Sequence, residues 1–354
     1  MNRFVRWLAV LTGLGMVSLG AAGCIPGIPK SSDNTDDEAF EFRYVDGDED
    51  SENYLLQLRI NGPILNTPSN GGFFGLDSGV TYAYQLQSLL EEVAEDDRIE
   101  GLFLRVSTPG GTVVGSNVIY EALVDYKEAT DNPIYVYIEG ISASGGVWSM
   151  VAADKIFAAP GSIIGSIGVI GPTLVFFNNP VALDGGLLGG GVTTQDGIQQ
   201  FVVSAGKGKD LGNPFRQPTE EELSILQTNI NNEYDNFVTH IASTRDISEQ
   251  TLRNEMGAYI FGTDLAQQYN LIDETSGRPE AIAALASALE LEDDYQLVQI
   301  GFDQPSLLEV LLGQTPLEFS YEQQQELIQA DLCALTNYNF LAYYGDLSSL
   351  CPQP

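Results

Sequence analysis

Apolar positions along this chain fall into two rhythms that alternate with one another. NYLLQLRI (residues 53–60), IEGLFLRV (99–106), PIYVYIE (133–139) and KIFAA (155–159) are short runs rich in branched and aromatic residues, and each predicts a buried strand. Between them, YAYQLQSLLEEVAE (82–95) and VGSNVIYEALVDYKEA (114–129) space their apolar residues along one helical face. ASGGVWSMVAA (143–153) reads as a buried helix. EEELSILQTNINNEYDNFVTHIASTR (220–245) predicts a long helix, opened by a Thr-x-x-Glu capping box at Thr219 and Glu222. Strands alternating with helices predict an α/β core whose strands are largely parallel. No internal repeat is visible, and DGGLLGGGVTTQDG (184–197) predicts a Gly-rich loop or insertion.

Composition changes the picture mainly at the surface and the two ends. The 354 residues carry 49 Asp plus Glu against 15 Lys plus Arg, a net charge of −34. The acids are spread over most of the chain. Nucleic acid is therefore a disfavoured partner, because phosphate needs a basic footprint. The surplus predicts a strongly solvated, self-repelling surface, suited to a salty medium where such charges are screened. The hydrophobic fraction of 44% is that of a chain with a full core.

MNRFVRWLAVLTGLGMVSLGAAGC begins with Arg3 and Arg6, continues through a short Gly-rich apolar stretch and ends on small residues before Cys24. It predicts an export signal over residues 1–23 and not a transmembrane helix. AAGC resembles a bacterial lipobox, with Ala21 where Leu is commoner. That resemblance implies cleavage before Cys24, acylation of that cysteine and a lipid anchor on a membrane surface, each buried methylene contributing ~0.8 kcal/mol. Residues 24–52 are Pro-, Ser- and acid-rich and predict a flexible tether. Residues 53–295 form the predicted globular domain, and 296–354, Gln- and Tyr-rich, a C-terminal extension with its own strand and helices. Export implies an oxidising compartment, so Cys333 and Cys351 are expected to form a disulfide.

The chemistry gathers where strands end. GISASGGVWSM (140–150) places Ser144 between a strand and a helix, among Ala143, Gly145 and Gly146. A serine hydroxyl needs a base to take its proton. The one histidine, His240, lies inside the long helix, where a structural role is the commoner reading. Lysine is scarce. Lys30 lies in the tether, Lys127 at a helix end and Lys155 ahead of a strand, while Lys207 and Lys209 sit among small residues in SAGKGKDLGNPFR. A neutral lysine, packed in an apolar pocket, can serve as the base; the competing reading is a solvated basic loop. STPGG (107–111) also follows a strand, and its Gly110 and Gly111 can offer backbone N–H groups to an oxyanion. Both glycine pairs fall at the carboxyl ends of successive strands, where open α/β sheets carry their sites. Ser166, in GSIIGSIGVIG (161–171), is a further hydroxyl that could orient a lysine. The sequence carries no metal-ligand cluster, and neither metal nor cofactor is expected.

In these residues the chain resembles the signal peptide peptidase A family of bacterial serine–lysine proteases. S-T-P-G-G resembles the family's N-S-P-G-G, and A-S-G-G with its apolar helix and ADKIFA resembles the nucleophile segment. G-S-I-G-V and G-K-G-K-D-L-G-N-P-F-R-Q-P-T-E-E-E resemble the turn and lysine segment that follow. The resemblance runs from about Tyr54 to Thr275. It implies stacked ββα units of the Clp protease and crotonase type, with a C-terminal extension outside it. It implies Ser144 as nucleophile, Lys209 as general base with Lys207 as its rival, and Ser166 as the residue that orients the lysine. It places the Gly145 amide, with Gly110 or Gly111, at the oxyanion hole. It implies apolar peptide substrates such as signal-peptide remnants, and a homo-oligomer. Thr108 stands where the family has serine, GAYIFG (257–262) lacks an expected arginine, and NLID (270–273) replaces Gly-Leu-Val-Asp. Two other classes fit less well: a catalytically silent scaffold, against which the intact Ser, Lys and Gly-Gly set speaks, and a crotonase-like thioester enzyme, against which the export signal speaks.

Overall fold

The computed structural model describes residues 41–68, 79–178, 200–301, 329–330, 333 and 340–345. Cys24, the Gly-rich stretch at 184–197 and Cys351 lie outside these residues. Cys333 is disulfide-bonded.

The chain runs β1 (Phe42–Gly47), β2 (Tyr54–Asn61), β3 (Ile64–Leu65), β4 (Thr81–Tyr82), α1 (Ala83–Val93), β5 (Ile99–Thr108), β6 (Gly110–Thr112) and α2 (Val113–Thr130). It continues through β7 (Ile134–Ala143), α3 (Gly145–Met150), β8 (Lys155–Ala158), β9 (Ile163–Gly165) and α4 (Glu220–Arg245). A short α5 (Glu249–Thr251) passes into a π-helical turn (Leu252–Met256). Then come β10 (Ile260–Gly262), α6 (Thr263–Gln268), β11 (Glu274–Thr275), α7 (Arg278–Ala288), β12 (Gln296–Ile300) and β13 (Leu341–Tyr343).

Two sheets result. The larger has nine strands, in the order β1-β12-β2-β5-β7-β8-β11, with β9 and β10 branching from the end of β7. Its centre, β2, β5, β7 and β8, is parallel throughout. Parallel strands covered on both faces read as nearly continuous apolar runs, as the sequence pattern showed. Alternation decides which face each side chain takes. Leu56, Leu58, Leu102, Leu104, Val136 and Ile138 enter the core shared with α1, α2, α3 and α4, whereas Leu55, Phe103, Tyr135, Tyr137 and Phe157 pack under α7. The smaller sheet, β13-β6-β3-β4, is built around the Gly110–Gly111 strand.

The helices start and stop where local chemistry allows. Thr112 caps α2 by accepting from the Gly115 amide, and Asp131 ends it in the left-handed conformation. The capping box expected at Thr219 and Glu222 is present at the start of α4. At the other end of α4, Arg245 pairs with Asp273 of NLID (3.0 Å), and Asp273 also accepts from the Ile156 amide of β8 (2.7 Å).

The structure differs from the sequence reading at both ends of the globular domain. Residues 24–52 were expected to be tether, yet Phe42–Gly47 is strand β1, paired antiparallel with β12. The Phe42 ring meets Tyr54 edge-on at 5.5 Å, and the Arg98 guanidinium lies 5.0 Å from the Phe42 ring centre. Residues 296–354 were expected to form a separate extension, yet β12 is inserted between β1 and β2, with Leu297 and Val298 fully buried. Both strands are short and lie in polar surroundings, so their partners, not their own pattern, make them strands.

Candidate active site

Strand β7 ends at Ala143 and helix α3 begins at Gly145, which leaves Ser144 at the junction with φ 53° and ψ −115°. A positive φ in a non-glycine residue costs on the order of 1–3 kcal/mol and persists only where the surroundings over-determine it. Three hydrogen bonds do so here. The Ser144 amide donates to the Gly165 carbonyl (2.7 Å), the Trp148 amide donates to the Ser144 carbonyl (3.1 Å), and Ser144 Oγ donates to the Gly168 carbonyl (3.3 Å). Ser144 is almost wholly buried.

The glycines around it are dictated by space. A Cβ on Gly145 would collide with Ser116 Oγ, and one on Gly146 would lie 2.5 Å from Thr108 Cγ2. Gly110, at φ 89°, would bring a Cβ to 2.6 Å from the Gly145 nitrogen. A Cβ on Gly145 would likewise sit 3.2 Å from the Gly111 nitrogen. The two glycine pairs thus lie backbone against backbone, and Gly145, as the first residue of α3, has an amide with no partner inside its helix. The Gly110 amide is already engaged: it donates to Thr108 Oγ1 (3.0 Å), whose hydroxyl donates to the Gly62 carbonyl (2.6 Å). Of the two alternatives left by the sequence, Gly111 is therefore the one beside Gly145 that is not bonded to Thr108.

Ser166 lies in the turn that serves Ser144. Gly165 and Gly168, on either side of it, supply the carbonyls that receive the Ser144 amide and hydroxyl. Ser166 is buried, has φ 55°, and its amide donates to the Tyr259 carbonyl (2.7 Å). No hydrogen bond joins the Ser166 hydroxyl to Lys209 or Ser144.

Lys209 is placed otherwise. It is exposed in a turn over residues 206–212, its amide donating to the Gly206 carbonyl (3.2 Å), and no hydrogen bond or ion pair joins its ammonium group to Ser144. Lys207, the rival, pairs with Glu221 at 2.5 Å, both side chains largely in solvent. What fixes this segment is Arg216. Its guanidinium forks to Asp210 (2.8 and 2.9 Å) and to Glu222 (2.8 and 2.6 Å). Glu222 also accepts from the Thr219 amide (2.9 Å). The Arg216 hydrogen bonds lower the Asp210 carboxyl below its ordinary range, and with the Thr219 amide they bring Glu222 to about 2.

His240 Nε2 donates to the Trp148 carbonyl (3.0 Å), and the ring stacks on the Trp148 ring at 4.7 Å and meets Tyr120 edge-on at 4.3 Å. Burial pushes its imidazole below the usual histidine value. It supports α3 from behind, the structural role expected for it. Sequence reasoning had marked Thr108 only as a departure from the family's serine and had no means of finding the Gly168 carbonyl, because backbone groups carry no residue signature. It had expected a strand within the C-terminal extension, but not that β13 pairs antiparallel with the Gly110–Gly111 strand.

A buried serine at a strand-to-helix junction, with glycine amides packed beside it, is the arrangement that an acyl-transferring hydrolase requires. Residues 126–292, which contain Ser144, Ser166 and Lys209, match the family described as Peptidase family S49. A protein named as a protease in Methanocaldococcus jannaschii is 32% identical over 218 residues, 61% of this chain and 65% (just under two thirds) of that one. A protein of Enterococcus faecium named signal peptide peptidase SppA is 28% identical over 300 residues, 81% of this chain and 82% of its own. One named as a protease in Synechocystis is 30% identical over 203 residues, 57% of this chain and 68% of its own. Among solved structures, a ClpP1 mutant from Listeria monocytogenes covers 64% of this chain and 94% of its own, with a TM-score of 0.39 and 14% identity. The chain belongs to peptidase family S49, a family of serine peptidases.

Proposed function

We propose that this protein is a serine endopeptidase working through a Ser144–Lys209 dyad on extended apolar peptides, signal-peptide remnants among them. The observation that carries the reading is the junction itself: Ser144 held at φ 53° with the Gly145 and Gly111 backbones against each other at its side. Neutral Lys209 takes the proton of Ser144 Oγ as the oxygen attacks a peptide carbonyl. The Gly145 and Gly111 amides hold the oxyanion, and Lys209 returns the proton to the departing amine. Water, deprotonated in turn by the lysine, then cleaves the ester and frees Ser144. Ser166 orients the lysine. In the resting chain the Ser144 hydroxyl donates to the Gly168 carbonyl, so the lysine must be delivered to it, by closure of its own segment or from a second copy.

An oligomer suits this requirement. Phe201 and Val203, which lead into the lysine segment, are 85% and 100% exposed, and apolar side chains so placed seek cover. Acylated Cys24 would hold the assembly on the outer side of a bacterial membrane. No helix among the described residues is long and apolar enough to cross one. A silent scaffold is the second reading, favoured by the exposure of Lys209.

The test is hydrolysis of an unfolded protein and an apolar peptide by the soluble form beginning after residue 24, beside Ser144→Ala, Lys209→Ala and Lys207→Ala. Loss with the first two but not the third establishes the dyad; loss with Lys207→Ala alone among the lysines moves the base by two residues. A folded wild type that cleaves nothing supports the scaffold. Recovery of activity on mixing Ser144→Ala with Lys209→Ala shows the lysine crossing between subunits.

A further inference from the structure

Strand β13 lies where a substrate should. A peptide substrate docks on a sheet edge as an added strand, held by main-chain hydrogen bonds. The edge nearest the proposed oxyanion amides is β6, and Leu341, Ala342 and Tyr343 pair antiparallel with Thr112, Gly111 and Gly110 of that strand. The Tyr344 amide donates to the Pro109 carbonyl (2.7 Å) and the Val113 amide to the Phe340 carbonyl (3.2 Å). In an antiparallel ladder the pairs that exchange both bonds alternate. Gly111 and Ala342 lie midway between those two bonds, so they are such a pair, and the Gly111 amide donates to the Ala342 carbonyl. The same oxygen is 3.0 Å from the position a Cβ would take on Gly145, and it is what a Cβ on Gly110 would strike.

The far edge of the strand is bonded as well. The Ile170 amide donates to the Leu341 carbonyl (2.8 Å) and the Leu341 amide to the Ile170 carbonyl (3.0 Å). Residues 340–344 thus fill a slot between the glycine strand and the turn that follows Ser166, with all three residues of β13 buried.

We propose that Phe340–Tyr344 is a pseudo-substrate strand: it occupies the peptide-binding slot in cis, sets its Ala342 carbonyl at the oxyanion amides, and must leave before a peptide can enter. The inference rests on the reading of Gly111 and Gly145 given above and adds its regulation. It also names the preferred ligand, an extended peptide with a small residue at the carbonyl that meets those amides and apolar or aromatic residues on either side. While the strand is docked, apparent affinity for any other peptide is reduced by the fraction of molecules in which the slot is open.

The test uses the full exported chain in a Ser144→Ala background, so that binding is read without catalysis. A fluorescent peptide of residues 339–346, NFLAYYGD, is titrated against it by anisotropy. Two releasing variants are compared: Ala342→Pro, which removes the amide facing Gly111, and Leu341→Asp, which places a charge at a buried position. Both are expected to bind the peptide about tenfold more tightly or better, with a cooperative melting transition retained at a lower temperature, because undocking exposes buried side chains. With Ser144 restored, peptide hydrolysis should rise by a similar factor. Unchanged peptide affinity in both variants with an intact melting transition would overturn the proposal. So would loss of peptide binding together with loss of the transition, which would make β13 a fixed part of the fold. If affinity rises but the Ser144-containing variants hydrolyse nothing, the strand is a plug as proposed and the dyad is what fails.

Discussion

The serine side of the site and its lysine side are built by opposite means. Around Ser144 nearly everything is backbone and space: two main-chain hydrogen bonds and one from its hydroxyl fix the residue, and glycines at 110, 111, 145 and 146 are imposed by neighbours that leave no room for a Cβ. Around Lys209 almost nothing is buried, and order comes from charge, through one guanidinium bridging Asp210 and Glu222. The first construction is insensitive to salt and pH and intolerant of any added atom. The second tolerates substitution but depends on ionisation. Under the proposed mechanism the contrast has a use: Ser144 as nucleophile is held by its surroundings, whereas Lys209 as base sits on a solvated segment.

Substitutions can break this contrast. Lys209→Ala should lower peptide hydrolysis by about a thousandfold or more, while stability changes by no more than about 0.5 kcal/mol, because the side chain is exposed. A melting temperature that falls with activity would show the lysine buried in the working form. Gly146→Val should act on both quantities together. The added atoms strike Thr108, overpacking of this kind costs about 1–3 kcal/mol, and the Ser144 junction shifts with it. Thermal denaturation and serine labelling by a fluorophosphonate, run side by side, would read that coupling.

Arg216→Ala should sit between these two, lowering hydrolysis several-fold with little change in the melting temperature. The pH dependence of the segment has a definite sign. Asp210 and Glu222 have folded values below their ordinary ones, so their contribution is complete above about pH 4.5. It is lost as pH falls toward about 2, the value at which Glu222 takes up its proton. Protection of the amides of residues 206–219, taken relative to their intrinsic exchange rate at each pH, should therefore fall only in that acid window in the wild type, and be low at all pH values in Arg216→Ala. The smallest effect belongs to His240. Its value is depressed by burial, so the neutral form supports the fold above about pH 6.5 and that support declines as pH falls below it. His240→Gln should flatten the corresponding slope in melting temperature.

Much of the fold was legible because its central strands and helices carry strong periodicity, and the helix opened by Thr219 carried its capping signal openly. Strand β1 was read as tether, and for β12 and β13 only a strand somewhere in the extension was expected, not their places in the two sheets. They are short, they lie in acid-, Gln- or Tyr-rich stretches, and they become strands only through partners distant in the chain. The α/β architecture expected from the alternation of strands and helices is the one found. In the site, Ser144 and the two glycine pairs could be singled out from their positions at strand ends. Lys209 could be distinguished from other lysines only through a resemblance. The hydroxyl of Thr108 and the carbonyl of Gly168 were invisible, since their roles arise from packing and from main-chain geometry.

The backbone of Ser144 has a consequence for how this position can drift. Glycine adopts φ near 53° without penalty, and the hydroxyl's hydrogen bond to Gly168, at 3.3 Å, is long. Replacing the nucleophile by glycine should therefore leave a protein at least as stable as the original, and incapable of hydrolysis. If Ser144 is the nucleophile as proposed, folding will not defend it where selection for cleavage lapses; only activity keeps it there.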